Sequence, residues 1–143
     1  MKTRRVRVIL LALLLIVVLS VLALTLPFLI TPAGRDRWLE AHRAAQLSSG
    51  SGEAQLTDTY TEGSLEVQLW QVSAEGRQYY DAVVWQRNLL GRYRVLHTEW
   101  LPVEEASDWW MSFGFHSGFY WYHFDVSLTE PKLLAPDKSF RLR

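Results

Sequence analysis

The sequence predicts a mainly β protein: an N-terminal transmembrane α-helix, then a small antiparallel β-meander domain, with a short helix between them to pack on it. Three observations carry this reading. Val8 to Ile30 is a 23-residue run with no charged residue. Ser48-Ser49-Gly50-Ser51-Gly52 is a Gly/Ser stretch of the kind that joins folded parts. Beyond it, apolar residues alternate with polar ones, the period of a half-buried strand.

The first element is the apolar run. As a helix it would be about 35 Å long, enough for a hydrocarbon core of roughly 30 Å. Lys2, Arg4, Arg5 and Arg7 precede it, so residues 1–7 form a basic tail and residues 8–30 the span. A cleaved signal peptide has the same layout. Its apolar core is usually about 7–15 residues, however, and Thr31-Pro32-Ala33 is a poor cleavage site. An uncleaved anchor is therefore expected. The dense positive charge on the tail predicts a cytoplasmic N-terminus, and a single-pass protein of the cell membrane with its C-terminal domain extracytoplasmic. The run lacks a GxxxG pattern and reads as a plain anchor.

Pro27, Pro32 and Gly34 mark the end of the span. Trp38, Leu39, His42 and Ala45 then fall near helical spacing, giving a short helix within residues 31–53 that packs on the domain or rests Trp38 in the headgroup layer. The β domain proper is expected over residues 54–143. Its strands follow in order. Leu65, Val67 and Leu69 alternate with Glu66 and Gln68. Tyr79 to Arg87 and Arg92 to Trp100 come next, then Trp109 to His116, and then Phe119 to Leu128 after a Ser117-Gly118 turn. Lys132 to Ala135 reads as a last short strand or a tail. Sequential strands on short turns pair with each other, which makes the meander. Whether it stays a twisted sheet or closes into a partial barrel is left open.

Composition excludes several functions. The chain has no Cys, which removes thiol catalysis, Cys-ligated metals and disulfides. The formal charge is +0, and beyond the tail it is −4, with 11 Lys+Arg against 15 Asp+Glu. No nucleic-acid partner is expected from such a balance. There is no G-x-S-x-G, H-E-x-x-H, Walker or G-x-G-x-x-G motif. No enzyme, no catalytic residue and no cofactor is expected.

The most unusual feature is aromatic density: nine of the 19 Phe, Trp and Tyr lie in residues 109–124. One face of these strands is core. The other carries Trp110, Gly114 and His116 with either Tyr120 and Tyr122 or Trp121 and His123, according to register. That face is either covered by the stalk or a loop, or it is a recognition platform, since Trp and Tyr dominate interface hot spots. The candidate partner-binding residues are Trp110, His116, Tyr120 and Tyr122, with Arg92 and Arg94 as a possible carboxylate-binding pair. His97-Thr98-Glu99 and His123-Phe124-Asp125 place a His and an acid on one strand face; they read as polar pairs, and no metal site is expected. Glu104, Glu105 and Asp108 read as an exposed polar connection.

The expected function is a protein-interaction module at the cell envelope. It would contact membrane lipid through residues 8–30 and an envelope protein partner through the domain. The alternative is a membrane-anchored small-molecule or glycan binding domain.

Overall fold

The computed structural model describes residues 2–105 and 110–141. Helix α1 covers Lys2–Thr25. Its length and apolar composition suit a membrane span, and none of its residues is buried in the protein. The two hydroxyls of its apolar stretch are satisfied within the helix: Ser20 Oγ donates to the Ile16 carbonyl at 2.8 Å and Thr25 Oγ1 to that of Val21 at 2.7 Å. The helix stops before the apolar run does. The residue before a proline disfavours the helical conformation, so Pro27 ends it, and Leu26 to Ile30 leaves as irregular chain.

Helix α2 covers Gly34–Gln46. Strands β1 (Glu53–Glu62), β2 (Leu65–Ala74), β3 (Arg77–Arg87) and β4 (Tyr93–Pro102) form the first antiparallel sheet, in that order. After a 3-10 turn at Val103–Glu105, β5 (Trp110–Ser117) and β6 (Tyr120–Ser127) pair in a second sheet. Strands β7 (Lys132–Leu133) and β8 (Asp137–Phe140) both join the far side of β6. The expected antiparallel meander is present, and it divides into two facing layers. Strand β5 lies beside β4, and β7 beside β1, so the layers meet along both margins. Asp58 ties the second margin, accepting a hydrogen bond from the Leu133 N–H at 2.7 Å.

The pleat decides what each face buries. Leu65, Val67 and Leu69 of β2 and Tyr80, Ala82 and Val84 of β3 face Met111, Phe113, Phe115, Phe124 and Val126 across the interior. The other face of the first sheet is covered by α2: Leu39 packs on Val83 and Trp85, and Trp38 stands edge-on to Trp85 at 5.2 Å. So β3 is buried on both faces. Trp38 belongs to the domain rather than to a headgroup layer, and the stalk is part of the fold. The Gly/Ser stretch is pinned as well. Ser48 Oγ donates to Glu75 Oε1 at 2.7 Å, and the Ser49 N–H donates to the same oxygen. Glu75 itself sits at φ 59° and Gly76 at 73°, the left-handed pair that a tight β2–β3 hairpin requires.

Candidate functional site

The outward face of the second sheet follows from its pairing. Phe113 opposes Phe124, and Phe115 opposes Tyr122, all toward the core. The residues between them point out: Trp110, Ser112, Gly114 and His116 on β5, and Trp121, His123 and Asp125 on β6. The open choice of register thus resolves in favour of Trp121 with His123. Tyr122 is only 6% exposed and stacks on Phe115 at 5.3 Å, so it is a core residue and not a surface contact. Tyr120 has the same inward parity but lies at the sheet's end, where it is 42% exposed and meets Phe140 edge-on at 5.9 Å.

On this face His116 and Trp121 are directly opposed and touch edge to face at 4.7 Å. The indole spreads over Gly114. A Cβ there would collide with it, which is why this strand position is a glycine. His116 Nδ1 is buried without a hydrogen-bond partner. Arg141 reaches over the outer edge of the indole at 5.7 Å. Trp110 stands at the opposite end of β5, 52% exposed. Trp109 and Asp108 lie outside the described residues.

Arg92 and Arg94 are elsewhere. Arg92 precedes β4 and Arg94 is its second residue, next to the chain that leaves α1. Arg94 lies over the Phe28 ring at 4.8 Å and donates through Nε to Gln86 at 2.8 Å. The backbone of Arg92 is held by Asn88: its N–H donates to Asn88 Oδ1 at 2.9 Å. The arginines and the outward aromatic face are therefore two separate surfaces. The two His-x-acid pairs do not meet either. His97 lies 2.9 Å from Glu99 and stacks inside on Phe113, whereas His123 lies 3.3 Å from Asp125 on the outside. Among the described residues, no three metal-type side chains come together.

A second set of residues, not foreseen from the sequence, lies under α2. Asp81 has no exposed surface, and its Oδ1 is 3.2 Å from His42 Nε2. His42 stacks on Trp38 at 5.0 Å. Arg43 lies over Trp70 at 4.4 Å; burial pushes its pKa down, and the nearby Asp81 charge opposes that. Gln68 Oε1 accepts from the indole N–H groups of Trp85 at 2.9 Å and Trp70 at 3.1 Å. Arg35 pairs with Glu66 and lies over Tyr93 at 4.2 Å. These groups are engaged with one another, and they hold α2 to the sheet. The sequence signal was a lone carboxylate, Asp81, inside an apolar strand.

Glu62 and Lys138 link the two sheets at 2.7 Å. The Lys138 ammonium holds the Glu62 carboxyl below its usual range, and Glu62 and Tyr122 raise Lys138 in turn. No protein-family model, curated protein or solved structure matches the chain.

Proposed function

We propose that the chain is a single-pass protein of the cell membrane, N-terminus cytoplasmic, whose extracytoplasmic two-sheet domain binds another envelope protein. The observation that carries the reading is the asymmetry between the two outer faces. The first sheet's outer face is roofed by α2, while among the described residues no helix roofs that of the second sheet, where Trp110 is exposed and Trp121, His116 and His123 are half-buried. Aromatic side chains exposed on a rigid sheet bring large contact area at low entropic cost, as partner-binding surfaces do. The reading is of binding rather than catalysis. His97 and His123 sit in separate pairs with Glu99 and Asp125 on opposite sides of the second sheet, and among the described residues they do not come together.

The test is cross-linking in the native cells followed by identification of captured proteins. Wild-type chain is expected to capture one envelope protein in stoichiometric amount. A Trp110→Ser, His123→Ser double variant is expected to lose it while remaining folded. Retention of the partner by the folded double variant rejects this face as the binding surface.

A further inference from the structure

One end of the domain gathers its exposed apolar side chains, and α1 arrives at that end. The β3–β4 turn carries Leu89 and Leu90, 106% and 71% exposed. The β5–β6 turn carries Phe119, 63% exposed, beside Phe140, also 63% exposed, with ring centroids 6.1 Å apart. These turns lie at one level. Tyr60 packs on Phe124, and Glu62 pairs with Lys138, which is opposite Tyr122. So β1 and β6 keep step, and Phe119 and Phe140 lie one step further along, level with the turn after Glu62. The Arg87 N–H donates to the Ser64 carbonyl at 2.9 Å, which brings the β3–β4 turn to the same level.

That level meets the membrane helix. An open groove of about 880 Å³ separates Val21, Leu24 and Phe28 from Gly63, Leu89 and Leu90. From Val8 to Thr25 the helix rises about 27 Å, slightly less than a hydrocarbon core of roughly 30 Å. The boundary of the core therefore falls at Leu26 to Phe28, where the groove opens. Leu26 and Leu29 are themselves 58% and 72% exposed.

The charge at this end is basic, although the domain as a whole is acidic. Arg87, Arg92 and Arg94 flank the leucine turn, and Lys138 and Arg141 flank the phenylalanines. Among the described residues, none of the four arginines forms an ion pair with a carboxylate. Apolar tips ringed by arginine suit a phospholipid surface, with the tips in the acyl region and guanidinium groups on phosphates.

We infer that the domain has a second membrane contact besides α1: Leu89, Leu90, Phe119 and Phe140 seat in the phospholipid leaflet that α1 leaves, and the groove beside α1 is filled by lipid acyl chain. The contact fixes how the domain stands on the membrane.

The chain has no cysteine, so single cysteines can be placed without background. Leu89→Cys, Phe119→Cys and Arg77→Cys carry an environment-sensitive fluorophore in full-length chain, reconstituted in phosphatidylcholine–phosphatidylglycerol vesicles bearing nitroxide on the acyl chains. Arg77 begins β3 at the opposite end of the domain. Labels at 89 and 119 are expected to emit to the blue of the label at 77 and to be quenched several-fold more strongly. Equal, water-like emission at all three sites in protein that floats with the vesicles overturns the inference and leaves the anchor reading intact. Protein that fails to float overturns both. A Leu90→Glu change in the Phe119→Cys chain adds a second readout. With native circular dichroism, it is expected to weaken quenching at 119, and unchanged quenching there counts against a shared seat.

Discussion

Replacing Asp81 by alanine should cost the domain a large part of its stability, through Arg43 as much as through Asp81 itself. Asp81 is fully buried in β3, with Oδ1 3.2 Å from His42 and Oδ2 without a hydrogen-bond partner. Two nitrogens of the Arg43 guanidinium, Nε and Nη2, are also buried without partners. Of the nearby charges, that of Asp81 does most to keep Arg43 charged in this place. Removing one member of a buried pair typically costs about 3–5 kcal/mol, because the other is left uncompensated. The partner within hydrogen-bond reach is His42, while Arg43 is only partly buried, forms no ion pair with Asp81 and keeps its cation–π contact with Trp70, so the lower figure, about 3 kcal/mol, is expected. A domain of this size has about 5–15 kcal/mol in all.

The assay is urea unfolding of full-length chain in detergent, followed by tryptophan fluorescence. Trp38, Trp70, Trp85 and Trp100 all lie around this seat and report on it. With a urea slope of about 1.5–2 kcal/mol per molar, the midpoint should fall by roughly 2 M. Asp81→Asn keeps an acceptor for His42 and loses only the charge, so its midpoint should lie between the two. The decisive comparison is Arg43→Met in both backgrounds. If Arg43→Met lowers stability equally with and without Asp81, the two groups are not coupled and the argument fails.

Three further outcomes follow from the structure. Ser48 and the Ser49 N–H hold the Glu75 carboxyl below its usual range, so their contact is complete above an unfolded carboxylate's value of about 4.3 and is lost as pH falls through the lower folded value. The Ser49 amide resonance should titrate with a midpoint below about 4.3 and not at all in Glu75→Gln; a higher midpoint contradicts the pinned loop. Gly114→Ala should expel the Trp121 indole at a cost of about 1–3 kcal/mol, abolishing the nuclear Overhauser contact between His116 and Trp121; survival of that contact refutes the packing. Gln68→Leu removes the acceptor of the buried Trp85 N–H and should cost about 1–3 kcal/mol in thermal unfolding; an unchanged melting temperature contradicts the role of that hydrogen bond.

What could be read from the sequence depended on how far apart the interacting residues lie. The membrane run and the alternation of β2 through β6 are local patterns, and they appear where expected. Strand β1 was not legible because Glu53–Glu62 is nearly all polar; it is an edge strand whose outward residues have nothing to pack on. The parity of β6 was left open, yet the deciding signal was present. Tyr122, Phe124 and Val126 share one face, and His123 and Asp125 share the other, so only one choice keeps a histidine and a carboxylate out of the core. The division into two sheets has no local signature, since the chain between β4 and β5 reads like any polar connection. The His42–Asp81 pair spans 39 residues, and no periodicity brings such partners together. Arg92 and Arg94 read from the sequence as a carboxylate-binding pair on the partner surface; the pairing of Ile30 with Tyr93 places them instead beside the chain that leaves α1.

That pairing also bears on how the domain is presented. A flexible Gly/Ser joint between stalk and sheet would let a binding face sweep through a wide volume. Instead α2 is clamped to β3, and the Ser48–Gly52 segment is bound to Glu75. The Ile30 backbone is tied to Tyr93 in both directions, at 2.7 and 3.1 Å. Only Leu26 to Leu29 remains between the end of α1 and the first tied residue, a tether of at most about 18 Å from Thr25 to Ile30 even when fully extended. Freedom of the domain relative to α1 is thus concentrated in these four residues. Trp110 stands at the end of β5 away from α1, so under the proposed reading a partner would meet it at a nearly fixed height above the membrane. Lengthening this segment by inserted glycines is then the change that should weaken capture without touching either binding surface, because it lowers the effective concentration of the domain at that height.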